Sequence, residues 1–136
     1  MPVSTTTEAE RVVGQFFDAM KAGDGDRVGE LLAEDVTWTF PGDMPFSGKH
    51  VGKAAVFSDL LAVTGPYFEP GHLDIELHNL ISDGGLVVTE YTGRNLTKTG
   101  RNYENEYVFV LEVADGLIHS IRSYFDTIYT KDLISG

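Results

Sequence analysis

The sequence predicts a single α+β domain in which helices come first and an antiparallel meander follows. Apolar residues recur at helical spacing in the first half of the chain. In the second half, apolar and polar residues alternate in short segments that are separated by Gly-containing turns. A chain of 136 residues is the size of one domain and can bury about two thirds of its unfolded surface. We therefore assign residues 1–136 to one domain with room for a core and a cavity.

Two helices and one strand are expected before Pro41. A helix begins near Thr7, which has capping-box spacing to Glu10, and ends at Gly23. Its apolar face repeats every four residues, at Val12, Phe16 and Met20. A short second helix follows, with buried Val28, Leu31 and Leu32. The segment Val36–Phe40, VTWTF, is then a strand that Pro41-Gly42 ends.

The remaining elements are a third helix and four strands. The helix is expected around 50–63, where His50 begins it and Gly65-Pro66 ends it. The strands are LDIELHNLI, LVVTEYTGRNLT, NYENEYVFVLEV and LIHSIRSYFDT, joined by the turns SDGG, KTGR and ADG. In the first of these strands, alternation places four residues on one face: Leu73, Ile75, Leu77 and Ile81.

Composition restricts the partners of the protein. The net charge is −11, so we do not expect the clustered Lys and Arg side chains that bind phosphate backbones or anionic membrane surfaces. The absence of cysteine excludes disulfides, thiolate nucleophiles and Cys-based metal sites. No run approaches the roughly 20 apolar residues of a membrane span, and residues 1–7 do not have the pattern of a secretory signal. We expect a cytoplasmic protein that binds neither nucleic acid nor membranes.

The order of elements, with the motifs VTWTFPG, FSGKHVGKAAV and DGLIHSIRSYFD, resembles the nuclear transport factor two-like superfamily, and SnoaL-like proteins within it. The resemblance covers nearly the whole chain. It implies a cone-shaped, curved antiparallel sheet wrapped around the N-terminal helices, open at one end, with a pocket inside. The superfamily includes ketosteroid isomerases, polyketide cyclases, limonene-epoxide hydrolases, dehydratases, transport factors and binding domains. The fold therefore does not assign the function.

Two enzyme groups of this superfamily can be compared residue by residue. Ketosteroid isomerases use a tyrosine on the first helix, an aspartate at the end of the first strand and an acid on a late strand. Phenylalanines stand at these places here: Phe16, Phe40 and Phe109. Ketosteroid isomerisation by that mechanism is therefore not expected.

Limonene-epoxide hydrolases are similar in two later stretches, GLVVTE and RSYFD. That family activates water with an Asp-Arg-Asp set, and Asp126 matches its last aspartate. Tyr91 and Gly93 stand where the Arg and the first Asp are expected, or Glu90 and Thr92 if the hairpin loop is one residue shorter. Under either register the Arg-Asp half is missing, so epoxide hydrolysis by the known route is not expected.

Asp126 is the first candidate for acid/base chemistry. Strict alternation groups Leu117, Ile121 and Phe125 and places Asp126 on the opposite, less apolar face, whereas a β-bulge would reverse this. The match to the hydrolase aspartate favours the pocket. We predict that Asp126 points into the cone and is at least half buried. The alternative is a strand-end aspartate that caps the tail helix or meets solvent.

Glu90 is the second candidate. If KTGR closes a tight hairpin, Glu90 lies opposite Phe109, on the core-facing side of its neighbour strand. Burial would raise the pKa of such a carboxyl group, because desolvation disfavours the charged form. The alternative is an outward glutamate that pairs with Arg94, Arg101 or Lys98.

Several aromatic and amide side chains are candidates for substrate binding, although aromatic residues at such spacing are also typical of a core. A buried asparagine must in addition be hydrogen-bonded, to the protein or to a ligand. The candidates are Phe16, Trp38, Phe40, Tyr91, Asn105, Tyr107, Phe109 and Tyr124. The four histidines have no metal-ligand spacing, and neither a metal nor a cofactor is expected.

Two functions remain open. The first is a cofactor-independent enzyme, a cyclase, isomerase, dehydratase or hydrolase, in which Asp126 and Glu90 transfer protons to an apolar organic substrate. The second is a non-catalytic small-molecule-binding or dimerisation module. An open cavity with two or more carboxylates favours the enzyme, and a cone filled by phenylalanines favours the module. We also expect a homodimer, with outward Val108 and Val110 at the centre of the interface.

Overall fold

The fold was obtained as a computed structural model, which describes residues 6–135 and the side chains from Thr7 onward. The helical elements are α1 Thr6–Ala22, α2 Gly25–Leu31, α3 Lys53–Ala55, a π-helical segment Val56–Leu61, α4 Ala62–Thr64, a 3₁₀ turn Gly65–Tyr67 and α5 Thr127–Ser135. The strands are β1 Leu32–Phe40, β2 Gly48–Val51, β3 Asp74–Asp83, β4 Leu86–Leu96, β5 Asn102–Ala114 and β6 Leu117–Phe125. The predicted α+β order is confirmed.

All six strands form one sheet in the order β2-β1-β6-β5-β4-β3, which does not close into a barrel. Strands β3 to β6 are the predicted antiparallel meander. Strand β1 runs parallel to β6, with Trp38 opposite Ile121, so the sheet is mixed. Helix α1 crosses the inner face of the sheet and contacts β3, β4, β5 and β6. The sheet and the helices therefore enclose a space between them.

The apolar face of α1 forms the centre of the core. Val12, Val13 and Phe16 are almost completely buried, as their helical spacing predicts. Trp38 on β1 is also buried, and its indole Nε1 donates a hydrogen bond to Ser123 Oγ on β6 over 2.9 Å. This bond satisfies two buried polar groups and fixes the indole ring against β6.

The segment around His50 differs from the sequence prediction. His50 does not begin a helix but lies in the short strand β2, opposite Trp38. Gly48 and Gly52 flank the segment with φ of 114° and 92°, values that favour glycine. These glycines let the chain turn into and out of one more strand, so the helix begins only at Lys53.

Strand β3 contains a β-bulge that the alternation of its residues did not reveal. Leu77 lies opposite Tyr91 and Asn79 opposite Glu90, so His78 is the additional residue. A bulge reverses the facing of the residues beyond it. Ile81 therefore points away from the core with 67% of its surface exposed, so the prediction that it shares a face with Leu73, Ile75 and Leu77 is wrong.

The β4–β5 hairpin is displaced by one residue from the predicted register. Thr97 N donates to Arg101 O over 2.9 Å, and the three residues between them include Gly100 with φ of 85°. This longer turn places Thr89 opposite Phe109 and Glu90 opposite Val108. Because successive side chains of a strand alternate between faces, the shift moves Glu90 to the outer face.

Candidate functional site

An open cavity of about 570 Å³ lies between the sheet and the helices. Its wall is mostly aromatic and aliphatic, and it includes side chains from α1, β1, β4, β5 and the segment 60–75. The cone is thus not filled by its phenylalanines. Cavities of roughly 300–1,000 Å³ are typical of sites for small organic ligands.

Five of the eight predicted substrate-binding residues line this cavity: Trp38, Phe40, Tyr91, Tyr107 and Phe109. Phe16 lies behind the wall, completely buried against Phe17 and Trp38. Tyr124 is on the outer face of the sheet and 51% exposed, so its prediction as a pocket residue is wrong. It faces outward because it lies opposite Val108, which also points away from the core.

The prediction that Asp126 is half buried inside the cone is wrong. Its side chain is exposed, and Oδ1 accepts a hydrogen bond from Tyr129 N over 3.1 Å. Asp126 thus caps the N-terminus of α5, which was the alternative interpretation. Strand β6 ends at Phe125 without a bulge at that end, so the alternation that placed Asp126 on the opposite face holds.

Glu90 is exposed as well, contrary to the prediction that it faces the core. Its Oε1 accepts a hydrogen bond from Asn79 Nδ2 over 2.9 Å on the outer face of the sheet. Its predicted cationic neighbour Arg94 instead contacts Glu76 and Glu104, at 3.0 and 2.6 Å. Neither Glu90 nor Asp126 belongs to the cavity wall, so a proton-transferring role for either inside this cavity is not supported.

Two stacked tyrosines belong to the polar part of the cavity wall. The rings of Tyr91 and Tyr107 are 4.8 Å apart and nearly parallel, with an interplanar angle of 6°. Gly93 makes this arrangement possible, because a Cβ atom there would lie 2.9 Å from the Tyr107 ring. Gly93 is one of the two positions at which the hydrolase comparison leads one to expect the first aspartate. In this chain the ring of Tyr107 takes up that space.

The Tyr107 hydroxyl belongs to a hydrogen-bonded cluster that includes Tyr103 and Thr130, two further residues of the cavity wall. It contacts the Tyr103 hydroxyl, which lies 2.7 Å from Thr130 Oγ1 on α5. Asn105 Nδ2 donates to the same cluster, 3.2 Å from the Tyr103 hydroxyl and 3.1 Å from Thr130 Oγ1. Asn105 is thus buried and bonded to protein groups, outside the cavity wall itself.

The Tyr91 hydroxyl has no hydrogen-bonding partner between residues 7 and 135, although only 7% of the residue is exposed. Every completely buried side-chain N or O atom of the described chain has a partner, so this hydroxyl reaches open space. Burial raises the pKa of Tyr91 well above 10, with a smaller contribution from Tyr103. Burial likewise raises the pKa of Tyr107 well above 10. Both groups are therefore neutral phenols at neutral pH and can donate hydrogen bonds.

Two carboxylates border the cavity within residues 6–135, and neither was predicted: Asp24 and Glu69. Asp24 Oδ1 accepts from Arg27 N over 3.0 Å at the start of α2. Glu69 Oε2 lies 3.9 Å from Lys98 Nζ. Both side chains belong to segments between regular elements, where no periodic pattern identifies a facing.

No group of three or more His, Asp or Glu side chains in the described segment is arranged to hold a metal ion. None of the helices between residues 6 and 135 combines the length and the apolar character needed to cross a bilayer.

Comparison with known families gives a match over most of the chain. The family model for the SnoaL-like domain matches residues 13–121. Among curated proteins, the sigma factor SigG of Mycobacterium tuberculosis, an ECF RNA polymerase sigma factor, is 26% identical over 120 residues. The match covers 88% of this chain but spans only 30% of the sigma factor.

Solved structures show the same fold. An NTF2-like protein from Burkholderia xenovorans LB400 is 28% identical, with a TM-score of 0.77 over 98% of this chain and 99% of that one. A protein from Jannaschia sp. CCS1, described as a SnoaL-like polyketide cyclase, is 20% identical, with a TM-score of 0.80 over 100% and 96% of the two chains. TerC, crystallised with polyporic acid, is 20% identical, with a TM-score of 0.82 over 95% and 99%. At 20% identity the last two matches establish the fold alone.

Proposed function

Because the chain belongs to the SnoaL-like domain family and holds an open aromatic cavity, we propose that it binds a neutral, largely apolar organic molecule through a carbonyl oxygen. The observation that carries this proposal is the Tyr91 hydroxyl. It is nearly buried on the cavity wall and has no acceptor among the described residues. Because this hydroxyl reaches open space, it can donate a hydrogen bond to a ligand acceptor, and such a bond contributes about 0.5–1.5 kcal/mol.

The shape of the wall supports a flat or compact apolar ligand. Trp38, Phe40 and Phe109 line the cavity, and the Trp38 and Phe109 ring centroids are 5.9 Å apart. Aromatic walls bury large ligand areas and favour stacked or edge-on ring contacts. A molecule of two to four fused rings suits a volume of about 570 Å³.

Charge around the cavity supports a neutral ligand. Asp24 and Glu69 border the cavity, and the whole chain carries a net charge of −11. The one arginine of the cavity wall within the described chain, Arg94, is already engaged by Glu76 and Glu104. An anionic ligand would therefore meet like charge without a free cation nearby.

Catalysis is a second candidate function, favoured by the two carboxylates on the same cavity. The tyrosine hydroxyls would polarise the carbonyl group, and Asp24 or Glu69 would remove a proton from the neighbouring carbon. This assignment replaces Asp126 and Glu90, the acids that the sequence suggested. Cyclisation and isomerisation both begin with such a step.

Binding can be tested with three related naphthalenes and quenching of the single tryptophan, Trp38, on the cavity wall. We expect 2-acetylnaphthalene to bind about tenfold more tightly than 2-isopropenylnaphthalene, in which C=CH₂ replaces C=O. The anion 2-naphthoate should bind more weakly than either. Equal affinities for all three would contradict the proposal. The catalytic candidate would be supported if the protein caused the acetyl hydrogens of 2-acetylnaphthalene to exchange with D₂O. Glu69→Gln or Asp24→Asn should abolish this exchange.

We also propose that the outer face of the sheet forms a homodimer interface. Three apolar side chains of this face are at least 42% exposed: Ile81, Leu86 and Tyr124. They surround Val108 and Val110, which were expected at the interface centre and are partly exposed. Arg122 and Glu112, paired at 2.6 Å, supply a polar edge.

The proposed dimer predicts the molecular mass in solution and a residue whose substitution should separate the two chains. Light scattering at high micromolar concentration should give twice the chain mass of 14.9 kDa. Val110→Lys should give the mass of one chain, because it places an unpaired charge at the centre of the interface. A monomeric wild-type protein at that concentration would reject the interface.

A further inference from the structure

We infer that Asn95 is a second hydrogen-bond donor of the cavity, and that the ligand is therefore a flat, apolar molecule with a carbonyl group at each end. The inference rests on the proposed binding of a carbonyl compound at Tyr91 and narrows the class of ligand. Tyr91 donates to one carbonyl oxygen and Asn95 donates to the other. Asn95 thus determines whether the cavity prefers a diketone to a monoketone.

Asn95 lies on the same face of β4 as Tyr91. Successive side chains of a strand alternate between faces, so Tyr91, Gly93 and Asn95 point to one side of the sheet. All three residues belong to the cavity wall. On the neighbouring strand β5, Tyr103 lies opposite Asn95 and belongs to the same wall. The Asn95 side chain is therefore directed to the cavity and not to the outer face of the sheet.

The orientation of the Asn95 amide is fixed by the backbone. The N–H of Leu96 donates to Asn95 Oδ1 over 2.9 Å, and this oxygen is the only acceptor that an asparagine side chain offers. Nδ2 with its two N–H groups lies on the other branch of the amide. It has no acceptor between residues 7 and 135, whereas Nδ2 of Asn105 donates to Asp126 O over 3.0 Å.

The unpaired amide nitrogen of Asn95 reaches open space. Asn95 is partly buried, and every completely buried side-chain N or O atom of the described residues has a partner. Nδ2 is therefore accessible, and the space that this face of β4 borders is the cavity. The Tyr91 hydroxyl is likewise unpaired. The cavity thus presents two neutral donors from one strand, a phenol and an amide.

The spacing of the two donors suits a molecule of two fused rings. Asn95 follows Tyr91 by four positions, which places their Cα atoms about 13–14 Å apart along an extended strand. The Tyr91 ring leans along the strand and shortens this gap, because its Cε2 atom lies 3.4 Å from the position of a Cβ on Gly93. The remaining distance is comparable to the length of a naphthalene with a carbonyl group at each end.

The charges near the two donors favour carbonyl groups over carboxylates at the ends of the ligand. Neither donor is charged, and Arg94 of the cavity wall is engaged by Glu76 and Glu104. A carboxylate would lose hydration in the cavity and would be repelled by Asp24 and Glu69 at its border. A neutral carbonyl oxygen accepts a hydrogen bond without this cost.

The experiment compares 2,6-diacetylnaphthalene with 2-acetyl-6-isopropenylnaphthalene, which has a similar shape but only one carbonyl group. Quenching of Trp38 measures both affinities. The wild type should bind the diketone about tenfold more tightly: about fivefold from the added hydrogen bond, and about twofold from the two equivalent orientations of a symmetric ligand. Asn95→Leu should lower this ratio to about two and keep the affinity for 2-acetylnaphthalene within about twofold. A purely structural role of Asn95 would instead change all three affinities together.

A second variant and a matched control accompany Asn95→Leu. Asn95→Asp keeps an oxygen for Leu96 N but has no N–H at neutral pH, so it should lower the ratio in the same way. Asn79→Leu is the control, because the Asn79 amide donates to Glu90 on the outer face of the sheet. This control should keep the ratio of about ten. Thermal unfolding identifies the folded variants.

The outcomes separate this inference from the proposed function. A wild-type ratio of about two, or a ratio of about ten in a folded Asn95 variant, would overturn the inference alone if the wild type still prefers 2-acetylnaphthalene to 2-isopropenylnaphthalene. A wild type without that preference would reject the proposed function, and the inference with it.

Discussion

Phe16→Ala should lower the free energy of unfolding by about 3–5 kcal/mol, and Phe109→Ala should lower it by about 3 kcal/mol. Phe16 has no exposed surface and packs against Phe17 and Trp38, with ring centroids 5.4 and 5.7 Å away. Its removal would leave a closed void in the core. Such a void costs both the lost burial of the ring and the lost contacts of its neighbours.

Phe109 differs because one side of its ring faces the cavity. The other side is packed: Tyr91 and Trp38 lie 5.2 and 5.9 Å from it, and 3% of the residue is exposed. Its removal should enlarge an existing space and also widen the ligand site. Urea unfolding of both variants measures the difference. A cost below about 1 kcal/mol for Phe109→Ala would mean that this residue borders a solvated space and not a packed wall.

Gly93→Ala should lower the free energy of unfolding by about 1–3 kcal/mol and remove the preference for a ketone ligand. The added Cβ would lie 2.9 Å from Cε1 of Tyr107 and 3.4 Å from Cε2 of Tyr91. The first distance is too short, so the Tyr107 ring must move. Displacement of that ring separates its hydroxyl from Tyr103 and changes the polar part of the wall.

Gly14→Ala in α1 is the matched control for this substitution. A Cβ at Gly14 meets no atom within 4 Å in the described part of the chain. Because alanine favours a helix interior, this variant should gain about 0.5–1 kcal/mol. Both variants can be compared by unfolding measurements and by their affinities for 2-acetylnaphthalene and 2-isopropenylnaphthalene. A Gly93→Ala protein as stable and as selective as the wild type would contradict the packing described for the two tyrosines.

The regular parts of the fold follow from local pattern. The four-residue repeat of α1 predicts its buried face, and the alternating segments predict β3 to β6. The errors lie at the irregular points. His78 adds a residue to β3, and the β4–β5 turn contains three residues between Thr97 and Arg101. A single-residue displacement reverses the facing of a strand. Glu90 therefore lies on the outer face of the sheet, whereas the prediction placed it on the core-facing side.

The sequence predicted the apolar residues of the candidate site better than its polar residues. Trp38, Tyr91 and Phe109 face the cavity as their strand positions suggested. Thr130 and Tyr103 complete the polar cluster only because α5 folds back onto β5, which no periodicity in the sequence reveals. For Asp126 the alternation of β6 gave the correct facing, and the family resemblance pointed to the wrong one.

The measurement that most directly tests a carbonyl-binding cavity is the affinity of 2-acetylnaphthalene for the wild type and for Tyr91→Phe, with Tyr67→Phe as control. Tyr67 lies outside the cavity wall, so its variant should bind like the wild type. Removal of the Tyr91 hydroxyl should weaken ketone binding about tenfold and leave 2-isopropenylnaphthalene unaffected or bound more tightly. Equal ketone affinity in the wild type and Tyr91→Phe would contradict the assignment of Tyr91 as the group that recognises the ligand.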